Sequence, residues 1–352
     1  MALPNTDSLL ADTVTRLLED ISTNALSSEV EDGHWPEAEW SQLSELGLTR
    51  VWLAESLGGA GLAFSEGFTI ARLSGRFATP LPLADALVAA FMAGEAGIVL
   101  PEILVVSCLE GNLKLDPAGT VSGVVRQVSF GQNADAVLAV IATPEGPRIG
   151  LIDIEGAEFS VSRTLSGEPQ VDIELNKAPV RELSERVNAE IYSESVEALG
   201  ALVRSQQIAG AAEAILEKCV RYAGERKQFG RPIGNFQAIQ HHLAAMAGEV
   251  AGITCTADAA SLAFMKQGFQ TDAALVAVAS AKIRAGASGA EVARIAHQVH
   301  GAIGFTQEYD LQRFTRRIWS WRDDYGDEAM WAHRLGQQVV DSASGELWPL
   351  IT

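Results

Sequence analysis

The chain has 352 residues, 47% hydrophobic and 20% charged, enough to bury one sizeable core or two to three domains. Its 26 basic and 45 acidic residues leave a formal charge of −19 with no basic run, which argues against nucleic acid or an anionic membrane as partner. Three cysteines, Cys108, Cys219 and Cys255, lie far apart without a CxxC pair, so they read as core thiols in a reducing cytoplasm rather than as a disulfide framework or a zinc site.

The N-terminal stretch "MALPNTDSLLADTVTRLLED" has no basic n-region and no long apolar run, so it reads as an amphipathic helix and not as a signal peptide. No segment approaches the roughly 20 apolar residues of a membrane span. Over residues 1–97, stretches such as "WPEAEWSQLSELGL" and "EGFTIARLSGRFA" space apolar residues three to four apart, the period of one helix face. Over 98–183 the period shortens to β-rich runs, "ILVVSCL", "ADAVLAVIA", "RIGLIDI" and "QVDIEL", separated by Gly, Pro, Asn and Asp. This predicts a small antiparallel sheet or barrel. From 184 to 352, Ala-rich stretches such as "LGALVRSQQIAGAAEAILEKCVRYAGERKQF" have the length and propensity of bundle helices. The predicted class is α+β multidomain: a helical N-terminal domain, a small middle β-barrel and a C-terminal four-helix bundle.

Two stretches of the last part stand out. "ERKQFGRPIGNFQAIQHHLA" interrupts a helix with a polar, glycine-containing turn, and "QVHGAIGFTQEYDLQRFTRRI" lies about 300 residues into the chain. With the order of the three parts and with "ESLGGAG" near the start (Glu55, Gly58, Gly59, Gly61, preceded by Ala54), these stretches resemble the acyl-CoA dehydrogenase family along nearly the whole chain. The resemblance implies FAD as cofactor, an acyl-CoA thioester as substrate and an electron-transfer flavoprotein or similar acceptor.

It further implies that Arg226, Gln228 and Phe229 reach a neighbouring subunit's flavin, with Arg226 as phosphate partner, and that Gln298 and Gly301 meet its adenosine diphosphate moiety. Guanidinium suits phosphate because its rigid fork of donors matches the oxygens. Ala302 stands where the family has a second glycine.

The same comparison exposes departures. Family members place a catalytic glutamate before a glycine after the second stretch, which falls on Tyr325, or on an earlier helix, which falls on Val203 and Arg204. Neither place holds a carboxylate, and a tyrosine with an ordinary pKa near 10 is a weak base. Asp324 is the candidate base by proximity, with Asp323 beside it, although the pair also suits a solvated helix start. Arg204 is a candidate substrate contact, or a structural residue buried against a carboxylate. In the β part the family's flavin-contacting segments are not recognisable, with Val128, Ser129 and Phe130 in the tryptophan region. His241 and His242, adjacent on a helix, point about 100° apart and suit no shared metal. Trp319, Trp321 and Trp331 read as packing residues.

Together these features suggest one subunit of an α2β2 acyl-CoA dehydrogenase, resembling the paired bacterial enzymes that oxidise steroid side chains. The alternatives are a self-sufficient homomer using Asp324 and a flavin-free structural partner.

Overall fold

The computed structural model describes residues 9–101, 104–108, 111–185, 189–269 and 271–341. Five helices come first: α1 (Leu9–Ile21), α2 (Asn24–Glu31), α3 (Glu37–Glu45), α4 (Phe64–Arg76) and α5 (Leu83–Ala96). In α1 the buried residues are Ala11, Val14, Leu18 and Ile21, spaced three and four apart on one face. Helix α5 is buried from Leu83 to Met92 almost all round and stops where Gly97 takes a φ of 69°.

Seven strands follow: β1 (Val105–Cys108), β2 (Gly111–Leu115), β3 (Thr120–Ser129), β4 (Ala136–Ile141), β5 (Arg148–Asp153), β6 (Glu158–Arg163) and β7 (Pro169–Leu183). They curl in the order β1-β4-β5-β7-β3-β2, with β6 paired to β7. The sheet closes on itself: Leu115 N–H donates to Ala142 O at 3.2 Å and Ala142 N–H to Leu113 O at 2.9 Å, tying β2 to the end of β4.

One pair departs from the antiparallel expectation. Strands β1 and β4 run parallel, Val105 opposite Ala136, because the β2–β3 hairpin between them supplies the crossover that a parallel pair needs. Strand β6 pairs only with β7 among the described residues and is exposed along its whole length.

The C-terminal part contains α6 (Ala189–Glu225), the short strands β8 (Lys227–Gln228) and β9 (Arg231–Pro232), then α7 (Gln237–Gln267), α8 (Asp272–His300), α9 (Leu311–Asp323) and α10 (Glu328–Asp341). The chain divides into two compact units. One gathers 25–67 and 80–200 around the barrel; the other gathers the described parts of 1–24, 68–79 and 201–352.

In the second unit Ile208, Ile215, Met246, Ile253, Ile295 and Phe314 belong to one continuous apolar core. Helices α4 and α6 meet backbone to backbone: a Cβ on Gly75 would lie 1.9 Å from Gln207 O, and one on Gly210 would lie 1.9 Å from Arg72 O. The polar side chains buried at that contact are matched. Arg72 pairs with Asp258 and donates to Gln206 Oε1 at 2.8 Å, while Gln206 Nε2 donates to Ser261 Oγ at 2.9 Å.

The cysteine expectation needs correction. Cys219 is a core thiol, its pKa pushed up to about 12 by burial, but Cys255 lies on the exposed face of α7, and the side chain of Cys108 falls outside the described residues. Among the described residues no helix is long and apolar enough to cross a membrane.

Candidate functional site

Helix α6 ends at Glu225, and the chain turns back at once. Arg226 N–H donates to Tyr222 O at 2.8 Å, and Arg226 O accepts from Ile233 N–H at 2.8 Å. Strands β8 and β9 pair antiparallel with Gln228 opposite Arg231, around Phe229 (φ 52°) and Gly230 (φ 80°). Two successive positive φ values define the type I′ turn that suits the twist of a two-residue hairpin. Glycine enters this region freely, whereas a bulky side chain there costs about 1–2 kcal/mol. Phe229 is nonetheless held at the tip, 93% exposed. Arg226 and Gln228 are exposed as well, and no ion pair among the described residues engages Arg226.

The second stretch forms the end of α8 and the turn after it. Gln298 is exposed, and Gly301 ends the helix with a φ of 63°. A Cβ there would meet nothing within 4 Å, so the glycine is required by conformation and not by space. Ala302 is also exposed and adopts no positive φ, so the local backbone does not demand a second glycine.

Two histidines that the sequence reading passed over support these elements. His300 Nδ1 donates to Ala296 O at 2.9 Å, which leaves Nε2 to accept from the Tyr309 hydroxyl at 3.0 Å. Its ring stacks on Tyr222 at 4.4 Å, fastening the last turns of α6 and α8 together. His297 lies 3.0 Å from Thr315 Oγ1 and stacks on Phe305 at 4.1 Å. Burial pushes the pKa of both below the ordinary histidine value. Their sequence signal was the i, i+3 spacing on either side of Gln298.

The residues considered for the base form a second group. Buried Arg204 on α6 places Nε 2.9 Å from Asp324 Oδ2 and donates from Nη1 to Gln207 Oε1 at 2.7 Å. Gln207 in turn donates to Ser74 Oγ at 3.1 Å. The Tyr325 ring centroid is 5.8 Å from the Arg204 guanidinium carbon, and Val203 is buried beside it in sequence.

Asp323 and Asp324 do not start a helix; they end one. Asp323 is the last residue of α9 and Asp324 its C-cap, because Tyr325 and Gly326 take φ values of 55° and 89°. Trp331 Nε1 donates to Tyr325 O at 2.9 Å and holds that turn. Lys282, almost wholly buried on α8, donates to Trp321 O at 2.9 Å and Arg322 O at 2.6 Å. Burial lowers its pKa to about 8, opposed by the nearby Asp324 charge. Trp321 and Trp331 are buried, and Trp319 stacks on His297 at 6.0 Å. His241 is exposed and His242 half-buried, and among the described residues no three His, Cys, Asp or Glu side chains gather into a metal site.

The two positions at which a family glutamate was expected, on α6 and after α9, are thus neighbours in space, and an arginine–aspartate pair stands there. A family model for the acyl-CoA dehydrogenase C-terminal domain matches residues 171–322. The chain is 31% identical over 303 residues to acyl-CoA dehydrogenase FadE34 of Mycobacterium tuberculosis, a match that covers 83% of this chain and 41% of that longer protein. Among solved structures it is similar to a variant of the Tcur3481-Tcur3483 steroid ACAD, with a TM-score of 0.83, 25% identity, and coverage of 95% of this chain and 98% of that one. The fold is also that of the ChsE4-ChsE5 complex from Mycobacterium tuberculosis, with a TM-score of 0.85, 22% identity, and coverage of 97% and 100%. The chain belongs to the acyl-CoA dehydrogenase family.

Acyl-CoA dehydrogenases are FAD-binding flavoproteins, and the residues here fit one part of that cofactor well. The hairpin offers an exposed guanidinium and an exposed amide that meet no acceptor among the described residues, a donor set suited to a diphosphate. The barrel segment fits poorly. Val128 and Phe130 are buried, and Phe130 packs edge-on against Trp35 at 5.9 Å, so this segment presents no aromatic face to a flavin ring. The bulge between Val125 and Val128 is instead held by Asp172, which accepts from Gln127 N–H at 2.9 Å.

Proposed function

We propose that this chain is one subunit of an FAD-dependent acyl-CoA dehydrogenase that introduces an α,β double bond into a bulky, steroid-derived acyl-CoA thioester. It assembles with a homologous chain as an α2β2 tetramer in the cytoplasm and passes electrons to an electron-transfer flavoprotein or a similar acceptor. Arg226, Gln228, Phe229, Gln298 and Gly301 serve a flavin seated in the partner's barrel. FAD, when bound, accepts the hydride from the β carbon.

The observation that carries this reading is the contrast between two sites of one chain. The hairpin keeps its donors exposed and, among the described residues, unengaged, whereas the place of the base is filled by the Arg204–Asp324 pair. An aspartate held in an ion pair with a buried arginine, beside a buried lysine, is poorly placed to take the proton α to a thioester carbonyl. The likeness to a complex named for two chains, ChsE4-ChsE5, and to a protein named as a steroid ACAD supports both the pairing and the substrate class.

The test is co-expression with a homologous acyl-CoA dehydrogenase chain from the same source, followed by flavin absorbance per particle, with mass from light scattering. About two flavins per tetramer, removed by Arg226→Ala, is the expected result. Four flavins, or a fully loaded homomer of this chain, favours the self-sufficient enzyme with Asp324 as base. A tetramer without flavin leaves only a structural partner.

A further inference from the structure

The hairpin carries a second arginine besides Arg226. In an antiparallel pair, residues directly opposite each other share a face. Gln228 is opposite Arg231, so these two share one face of the hairpin, and Arg226, the residue just before β8, is tied to the far side of the hairpin by Ile233 N–H donating to its O at 2.8 Å. Arg231 is exposed, and among the described residues it joins no ion pair.

Its guanidinium carbon sits 4.3 Å from the ring centroid of Phe236, over the aromatic face. Stacking engages the π surface of a guanidinium and leaves its in-plane N–H donors free for a bidentate anion. Phe236 is also the N-cap residue of α7 and gives that end no side-chain cap, so the first-turn N–H groups and the positive end of a 31-residue helix lie next to the stack. The tip residue Phe229 packs edge-on against the same ring at 6.2 Å.

We propose that Arg231 is a second phosphate-binding residue of the hairpin, forming with Arg226 a two-arginine clamp on either side of Gln228 for the diphosphate of a dinucleotide. This rests on the proposed role of the hairpin toward a partner's flavin. Arg226 alone offers one fork to a group with two phosphates; Arg231, fixed by Phe236 and the start of α7, offers the other. The same diphosphate chemistry occurs in FAD and in coenzyme A, and the test separates the two.

The experiment uses the co-expressed holo-complex and measures FAD dissociation by recovery of flavin fluorescence, together with the KM for an acyl-CoA. Arg231→Ala is expected to weaken FAD about 10-fold or more, as loss of one charge-assisted hydrogen bond does, with KM unchanged. Arg231→Met keeps an aliphatic stem over Phe236 without donors, so it should lose as much as the alanine variant, and Arg231→Lys should recover part of the loss. Wild-type FAD affinity in Arg231→Met would show that the residue only packs, and would overturn the proposal. A rise in KM with FAD affinity intact would assign the diphosphate to coenzyme A and overturn it equally. If Arg226→Ala empties the flavin while every Arg231 variant retains it, this inference fails alone; if Arg226→Ala also retains it, the hairpin reading itself fails.

Discussion

Truncation of Arg204 is the most informative perturbation of the bundle. Its side chain is 5% exposed, its Nε lies 2.9 Å from Asp324 Oδ2, and its Nη1 donates to Gln207, which continues to Ser74. Arg204→Ala therefore strands a carboxylate that is only 27% exposed and breaks a chain of buried hydrogen bonds. Removing one partner of a buried pair costs about 3–5 kcal/mol. Lys282 stands close enough to compensate part of the Asp324 charge, which places the expected loss at the lower end, about 3 kcal/mol. In a cooperative unit of 150–250 residues that corresponds to a fall in melting temperature of roughly 6–12 °C.

Calorimetry of the assembled complex, with steady-state kinetics on the same samples, measures both consequences. The melting temperature should drop while KM for the acyl-CoA changes little. The double variant Arg204→Ala with Asp324→Asn should cost less than the sum of the two single variants, since neither charge is then left alone. An unchanged melting temperature with a large rise in KM would refute the structural assignment and make Arg204 a substrate contact.

Asp324→Asn should lower stability by removing the carboxylate charge 2.9 Å from Arg204 Nε, yet keep turnover of the assembled enzyme within about tenfold, against the 100-fold to 10,000-fold losses typical of a general base; a collapse of turnover with flavin and assembly intact would make it the base. Lys282 gives a pH signature: its pKa of about 8 lies below the ordinary 10.5, so between those values the unfolded chain binds one proton more than the folded chain. Its contribution to stability therefore rises with pH over that window, by about 3 kcal/mol at most. Wild type should gain on Lys282→Met in urea titrations from pH 8 to 10.5, and parallel curves for the two proteins would contradict this.

Much of the architecture was legible because hydrophobic period is a local property. The change from one-face helical spacing to short β runs and back marks the element classes, and the hairpin after α6 announced itself by Gly230 and Gly234 in an otherwise helical stretch. What was not legible depends on residues far apart or on backbone angles that residue type does not signal. Nothing near Val105 indicates that β1 runs parallel to β4, since direction is set by the intervening hairpin. Asp323 and Asp324 look like a helix start, and only the left-handed backbone at Tyr325, an unusual residue for it, turns them into a helix end. The Arg204–Asp324 contact joins α6 to the turn after α9, which no spacing rule reaches. Cys255 was misplaced because composition cannot tell which face of α7 turns outward.

The way the barrel closes has a consequence for how the protein behaves in concentrated solution. By returning to Ala142, β2 hides a margin that would otherwise offer free backbone groups, while β6 keeps its outer margin open among the described residues. Two large apolar side chains sit on that strand, Phe159 at 38% and Val161 at 63% exposure. Unpaired, apolar strand edges template aggregation, and charges along them act as gatekeepers. Glu158 and Arg163 bracket β6 with opposite charges, so in concentrated solution two end residues of one strand guard its open edge locally, in addition to the repulsion that the large negative net charge supplies.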